Sequence, residues 1–395
     1  MAESLLRFSA APMWANCSGS VAASRAVPNI SGPEAERGTA GHWVAASVLL
    51  AYRDNTGDPL ITRAYVGKAA PNGVVIDDEI ADGAEGFVRH VLALAQEFGG
   101  VQALLIEYRV EGKHIHPEAG GTLDVALPLV GKDGQLHHLY IIDYKAGRRR
   151  VTPRGNYQLI GYASSLLEAY GVSGVGDQSL IVDLQIYAPF QYAKGGPATT
   201  WRVRASELRP YVNRMQHMAH EATTTPRLTA GEWCRDCPAV GRCDAAMQAG
   251  YNAWEAASLP YLIHTMGDAA LATEREFVHN ALALLKGRAE ALDAEAMHRM
   301  GAGRVLPGLA LESGRSSWSW SVDDAVAIAM ARQFGLNIAT TSAKTPTQTV
   351  ALASAAERPM VQMVLESITK RAAGSLKITH AADSIMSKAF TTNEE

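Results

Sequence analysis

Apolar and polar residues alternate in two neighbouring segments near the middle of the chain. In GTLDVALPLV, Leu123, Val125 and Leu127 recur at every second position, which is the spacing of a strand with one apolar face. The segment LYIIDYKAG repeats this spacing, and GKDG between the two segments has the composition of a hairpin turn. The pattern therefore predicts a pair of antiparallel strands at residues 121–130 and 137–145.

Strand and helix patterns also follow each other along the rest of the first 250 residues. Further strands are predicted at 102–110, 179–189 and 199–205, and helices at 33–51, 78–98, 155–171 and 207–223. This order indicates an α/β fold for a first domain, 1–250. The remaining region, 251–395, is rich in Ala and Leu at helical spacing, so we expect it to be mainly helical, with an unknown role. Within it, Trp318 and Trp320 alternate on a predicted strand, which fits either core packing or stacking on exposed bases.

The composition is that of a globular protein, because 47% of the 395 residues are hydrophobic and the formal net charge is −4. With this charge, affinity for nucleic acid requires a local basic patch. Four arginines follow the second strand directly, and they either hold phosphates or form a solvated loop: Arg148, Arg149, Arg150 and Arg154. The chain has neither a secretory signal nor a run of about 18 apolar residues. We therefore expect no membrane contact and a location in the cytoplasm of a bacterium or a phage-infected host cell.

Aspartate occurs in both strands of the predicted hairpin. Asp124 and Asp143 would be cross-strand neighbours, about 5 Å apart, and two such carboxylates repel each other. A divalent cation removes the repulsion, because oxygen ligands at this spacing suit Mg²⁺ or Mn²⁺, and the nearby Lys145 could orient a metal-activated water. On the helix that follows, Gln158 and Tyr162 are four positions apart and share a face. Two aspartates, a divalent cation and a lysine in this arrangement indicate an enzyme that cleaves phosphodiester bonds.

The Asp-x-Lys triplet is by itself a weak signal. Such a triplet is expected roughly once by chance in a chain of this length. A second acidic triplet, Glu111-Gly112-Lys113, has no acidic strand upstream and is followed by a loop rich in His, Pro and Gly. We therefore assign the chemistry to the triplet that ends the hairpin.

The motifs GTLD, IIDYKAG and YQLIGYA, in this order, resemble those of the RecB-like branch of the PD-(D/E)XK nuclease superfamily. The resemblance implies a restriction-endonuclease-like core, in which a central mixed sheet is flanked by helices, and Mg²⁺- or Mn²⁺-dependent cleavage of DNA. It also implies that His42, Asp124, Asp143 and the carbonyl of Tyr144 hold the metal ion, that Lys145 positions or activates the attacking water, and that Gln158 and Tyr162 contact DNA or support the site. Glu107, on the strand before the hairpin, would be a further catalytic residue. For His42 and Glu107, an ordinary structural role is the alternative.

The chain has four cysteines, and three of them form a Cys-x2-Cys-x5-Cys group: Cys234, Cys237 and Cys243. Together with the early Cys17, this group resembles the iron-sulfur nucleases of the same branch, which include the CRISPR-adaptation exonucleases and the helicase-linked AddB type. The resemblance implies a [4Fe-4S] cluster that staples the two ends of the domain together. A structural Zn²⁺ and unligated thiols are the alternatives.

Two classes of function follow from these motifs. The first is a metal-dependent DNA nuclease, an exonuclease that acts on single strands or duplex ends in phage or bacterial recombination, repair or end processing, with a recombination or replication protein as a further partner. The second is a non-catalytic DNA-binding or assembly factor on a nuclease fold, with a structural metal cluster. The chain also resembles an uncharacterised phage protein family. No Walker-type phosphate loop is present, so we expect no ATP-driven helicase in this chain.

Overall fold

A mixed sheet of six strands lies at the centre of the part of the chain that the structure describes. The strands are β1 (Leu6–Arg7), β2 (Leu105–Glu111), β3 (Ala119–Val130), β4 (Leu136–Tyr144), β5 (Ile181–Tyr187) and β6 (Ala198–Arg204). Their order is β1-β3-β4-β5-β6, with β2 also paired to β3. The β1–β3 and β4–β5 pairs are parallel, and the other pairs are antiparallel. The computed structural model describes residues 4–25, 27, 32–54, 61–98, 100–172, 179–191, 196–257, 266–307, 309, 359 and 363.

Helices cover both faces of this sheet. The helices are α1 (Ala11–Trp14), α2 (Ser20–Arg25), α3 (Pro33–Arg53), α4 (Asp78–Phe98), α5 (Tyr157–Ala169), α6 (Arg209–Thr224), α7 (Asp244–Ala257) and α8 (Asp268–Gly301). Apolar side chains of α3 and α4 form one buried cluster with the sheet, and those of α5 and α6 form a second cluster with the N-terminal segment. The chain is therefore an α/β protein with a mixed sheet flanked by helices, and the predicted fold class is confirmed at this level.

The predicted hairpin is present. β3 and β4 pair antiparallel, and the turn between them contains Gly134 at a φ of +76°, a backbone conformation that glycine adopts without strain. The N–H of Gly131 donates to the carbonyl of Gln135 and closes the turn. Strand β4 then continues through α5 to the parallel β5, because parallel neighbours need a long crossover connection.

Helix α5 is fixed at its start and against the N-terminal segment. Asn156 is its N-cap, and its side-chain oxygen accepts hydrogen bonds from the backbone N–H groups of Gln158 and Leu159. Gly161 allows the helix to approach Phe8, since a Cβ there would lie 2.5 Å from the Phe8 ring. The cap and the contact with Phe8 therefore fix the position of the α5 backbone, which carries the side chains that face the sheet.

Ion pairs to one buried carboxylate join β4, β5 and β6. Asp183 is fully buried, and its carboxylate accepts a hydrogen bond from Arg202 at 2.8 Å and lies 2.9 Å from Nε2 of His138. Burial raises the pKa of Asp183, but its two partners outweigh burial and hold the pKa below its usual range. These ion pairs lie away from the predicted site and hold the three strands in register.

The C-terminal half of the described chain adds α7 and the 34-residue α8. Leu284 of α8 packs in a small buried cluster with Cys234, Val240 and Ala246. The chain divides into two compact units, Met1–Ser342 and Ala343–Glu395. Trp318 and Trp320, which alternate on a predicted strand, lie outside the described residues. No described helix is both long enough and apolar enough to cross a membrane.

Candidate active site

The hairpin brings its two aspartates to the same place. Val125 pairs with Ile142, so Asp124 and Asp143 are the next residues along the two strands and oppose each other. The backbone N–H of Tyr144 donates to Oδ2 of Asp124 at 2.7 Å. Asp143 is only 2% exposed. Two carboxylates therefore share a largely buried position at the end of the hairpin, as predicted.

Three residues from different elements form a group with the geometry of a metal site. His42 from α3, Glu107 from β2 and Asp124 from β3 each offer one ligand atom, and these atoms lie within 4.8 Å of one another. Nδ1 of His42 is 3.3 Å from Oδ1 of Asp124. The three residues line a cavity of about 10 Å³, room for one water-sized body or ion. No other group of His, Cys, Asp and Glu in the described residues meets the same distance limit.

Glu107 has an unusual backbone. Its φ is +45°, and it is the only residue other than glycine with a positive φ in the described part of the chain. A left-handed conformation costs a residue with a side chain about 1–2 kcal/mol. The neighbours Ile106 and Tyr108 pair regularly with β3, so the strain is confined to the one position opposite Asp124. Such local strain is often found at functional sites.

Asp143 belongs to a second set of contacts beside this group. Nε2 of Gln158 donates to Oδ1 of Asp143 at 2.9 Å, and Nζ of Lys145 donates to Oε1 of Gln158 at 3.2 Å. Burial raises the pKa of Tyr162, and the nearby Gln158 side chain opposes this effect. Nζ of Lys145 lies 2.9 Å from Oδ2 of Asp143 as an ion pair, but that oxygen is buried and has no hydrogen bond to any described residue. The structure thus groups Glu107, rather than Asp143, with His42 and Asp124.

The pKa values of the site residues follow from their burial and from the charges of their neighbours. Burial raises the pKa of Asp143 and of Glu107, and the charge of Asp124 raises both further. Burial also opposes the ionisation of Asp124, but His42 and Lys145 lie close enough to hold its pKa below the usual value. For His42 and Lys145, burial lowers the pKa, and the neighbouring carboxylates outweigh burial and raise it. The site therefore binds added positive charge favourably.

The donor set fits a hard divalent cation. Two carboxylates and one imidazole meet at one small cavity, and carboxylate oxygens suit Mg²⁺ and Mn²⁺. The buried Oδ2 of Asp143, which lies 2.9 Å from Nζ of Lys145, is a further carboxylate oxygen next to the group. We identify His42, Glu107 and Asp124 as the residues that could hold the ion.

The four cysteines line one cavity. Backbone N–H groups of Thr229 and Gly231 donate to the sulfurs of Cys17 at 3.3 Å and Cys234 at 3.4 Å, as N–H groups do around metal-bound thiolates. Burial raises the pKa of Cys234 to about 11. No three of the four described sulfurs lie within 4.8 Å of one another. Sulfurs around a tetrahedral zinc, with bonds of about 2.3 Å, would be only about 3.8 Å apart.

The predicted basic patch is partly neutralised. Arg148 pairs with Glu79 at the start of α4. Arg149 makes two hydrogen bonds, of 2.6 and 2.8 Å, to the carboxylate of Asp236. Arg150 and Arg154 are exposed. Because Asp236 lies between Cys234 and Cys237, Arg149 ties the loop after the hairpin to the cysteine segment, a role that the arginine run alone did not indicate.

Comparison with known proteins places the chain in a family. No curated protein matches it. Residues 3–385 match the family model described as "Protein of unknown function (DUF2800)". Because this match spans nearly the whole chain, the protein belongs to the DUF2800 family.

Proposed function

We propose that this protein is a metal-dependent nuclease that hydrolyses phosphodiester bonds in DNA. The observation that carries the proposal is the contact between two groups. His42, Glu107 and Asp124 form a small cavity for one cation, and the Asp143–Lys145 pair lies directly beside it. A bound Mg²⁺ or Mn²⁺ would polarise the phosphodiester and lower the pKa of a nearby water.

Each residue of the second group has a role that its contacts support. Lys145 keeps its proton, since its pKa is raised, and its ammonium can orient a water or stabilise negative charge that develops on the phosphate. Gln158 holds both Lys145 and Asp143, and the Asn156 cap fixes its backbone. These contacts hold the ammonium next to the cation site before substrate binds, which lowers the cost of reaching the transition state.

The more specific parts of the proposal rest on the sequence motifs. We propose a RecB-like PD-(D/E)XK core, exonuclease action on single strands or duplex ends, and a role in phage or bacterial recombination, repair or end processing. We also propose that the four cysteines hold a [4Fe-4S] cluster. The single cavity that they line and their N–H···S contacts support a metal centre here, and the resemblance to the iron-sulfur nucleases favours the cluster over zinc.

A labelled-DNA digest tests the activity. Protein purified without oxygen should degrade DNA with Mn²⁺ or Mg²⁺, and EDTA should stop the reaction. Lys145→Gln should lower kcat at least about 100-fold, because it removes a charge that acts in the transition state. Lys113→Gln is the matched control, since Lys113 ends the second acidic triplet and is 74% exposed. It should cleave like the wild type.

Two results would contradict the assignment. Full activity in Lys145→Gln would place the chemistry elsewhere. DNA binding without cleavage, under conditions in which Mn²⁺ stabilises the protein, would favour the non-catalytic DNA-binding or assembly factor.

A further inference from the structure

A second cavity lies beside the proposed active site. It has a volume of about 60 Å³ and opens between the start of α3, the start of α4 and the loop after β4. Its lining includes Arg37, Glu79, Tyr144, Arg148 and Phe190. Tyr144 is the residue between Asp143 and Lys145, and its backbone N–H binds Asp124. The cavity and the proposed active site are therefore linked through one residue.

The hydroxyl of Tyr144 is a buried donor without a partner. The residue is 1% exposed, and its Oη has no hydrogen bond to any described residue. Two glycines make room for the side chain. A Cβ at Gly83 would lie 2.7 Å from Oη and 3.0 Å from the Phe190 ring, and a Cβ at Gly41 would lie 3.2 Å from the Tyr144 ring. A buried hydroxyl that lacks an acceptor costs free energy, so it points to an acceptor supplied by a ligand.

One carboxylate joins the two guanidinium groups of the cavity. Glu79 accepts a hydrogen bond from Arg148 at 2.5 Å with one oxygen, and from Arg37 at 3.0 Å with the other. This is the way in which two arginines hold a phosphate. Arg148 also lies over the ring of Phe190, 5.6 Å from its centroid. The cavity thus combines two guanidinium groups and the Tyr144 side chain with an aromatic wall, and an acidic side chain takes the place of the anion.

We propose that this cavity is a phosphate subsite for the nucleic acid strand. Glu79 competes with the strand for Arg148, and Glu79 and Asp77, which binds Arg37 at 2.7 and 3.3 Å, compete with it for Arg37. Tyr144 would donate its hydroxyl to the same phosphate. This inference rests on the proposed function, because it takes the substrate to be DNA. Since Tyr144 adjoins the cleavage residues, the bound phosphate would belong to a nucleotide next to the one that is cut.

Binding of a fluorescein-labelled single-stranded 12-mer in EDTA tests the subsite without cleavage. Arg148→Gln should weaken binding about fivefold to tenfold and lower the salt slope by about 0.7. Tyr144→Phe should weaken binding about tenfold, as for a hydrogen bond to a charged group, without lowering the melting temperature. Glu79→Gln should tighten binding about fivefold, because the competing charge is gone.

Two control variants separate the subsite from a general charge effect. Asp78→Asn makes the same change in net charge one residue away, where the carboxylate pairs with Arg63 instead. Arg63→Gln removes an exposed arginine outside the cavity. Both should bind within twofold of the wild type. The subsite is refuted if Tyr144→Phe and Arg148→Gln also bind within twofold, or if Asp78→Asn tightens binding as much as Glu79→Gln.

Strands with a 5′-phosphate, a 3′-phosphate or hydroxyl ends show which phosphate is bound. A terminal phosphate is the ligand if Arg148→Gln weakens binding of one phosphorylated strand alone, and an internal phosphate is the ligand if all strands weaken equally. Wild-type cleavage with Mn²⁺ is measured separately. A wild type that binds the strand but does not cut it would refute the nuclease activity and leave the subsite standing, whereas a wild type that does not bind would refute both.

Discussion

Substitutions of Glu107 can separate the effect of its backbone strain on stability from its proposed role as a metal ligand. Glycine at this position removes the strain of a φ of +45°, about 1–2 kcal/mol. It also adds backbone freedom to the unfolded chain, which costs about 0.5–1 kcal/mol. In EDTA, Glu107→Gly should therefore be at least as stable as the wild type, with a gain of up to about 1.5 kcal/mol. Glu107→Gln keeps the strain and should stay within about 0.5 kcal/mol of the wild type. The residue is exposed overall, although its carboxylate end is partly desolvated beside Asp124, so water screens most of that repulsion.

In Mn²⁺, the order of stability should reverse, so that the wild type is more stable than both variants. A ligand at about 100 times its Kd stabilises the native state by about 2.7 kcal/mol, and both variants should lose most of this gain because one of three ligands is missing. Urea unfolding in EDTA and in Mn²⁺ measures both effects. Glu111→Gly is the control, because Glu111 ends the same strand with an ordinary φ, and glycine there should only destabilise.

Either of two outcomes would refute the reasoning. A Glu107→Gly protein that is less stable than the wild type in EDTA would show that the strain is not a real cost. Variants that keep the full Mn²⁺ stabilisation would remove Glu107 from the metal site and leave His42 and Asp124 without a third ligand.

Three further predictions test other parts of the structure. Asp183→Asn should lose about 1.5–3 kcal/mol in urea unfolding at pH 7. Because the pKa of Asp183 is lowered in the native state, its contribution is present above the unfolded pKa and lost as the pH falls through the folded pKa, so the variant and the wild type should converge in acid. Asn156→Ala should cost about 1 kcal/mol and also lower kcat, since the cap holds the backbone of Gln158. Cys17→Ser should lose iron and melting temperature as severely as Cys237→Ser, and the intact protein should contain about four irons per chain.

The hairpin and its aspartates could be predicted because the signals are local. Alternation at every second residue defines each strand, a glycine-containing turn sets the pairing, and the pairing then places Asp124 opposite Asp143. The contact between Gln158 and Asp143 follows in the same way, from a helix that starts a few residues after the strand. Each step joins residues that are close in the chain.

Pairings that join distant segments carried no such signal. Four arginines within seven residues indicate a basic patch, but Glu79 lies far upstream and Asp236 far downstream, and only the fold brings them to Arg148 and Arg149. The backbone strain at Glu107 is equally invisible, since nothing in LLIEYRV distinguishes a left-handed glutamate from one in a regular strand. Sequence reasoning therefore identified Glu107 only through a resemblance.

The charges of the candidate site sum to a value that one divalent cation would balance. Within the described group, the carboxylates of Glu107, Asp124 and Asp143 give three negative charges, and Lys145 gives one positive charge, which leaves 3 − 1 = 2 negative charges when His42 is neutral. Burial and the charge of Asp124 raise the pKa values of Glu107 and Asp143, and the neighbouring carboxylates raise the pKa of His42 against the effect of burial. A divalent cation would supply both charges at one point, and His42 would bind it as the neutral imidazole, the form that coordinates metal. Under the proposed function, His42, Glu107 and Asp124 would hold a cation that offsets their repulsion, and Lys145 would keep its charge next to the phosphodiester.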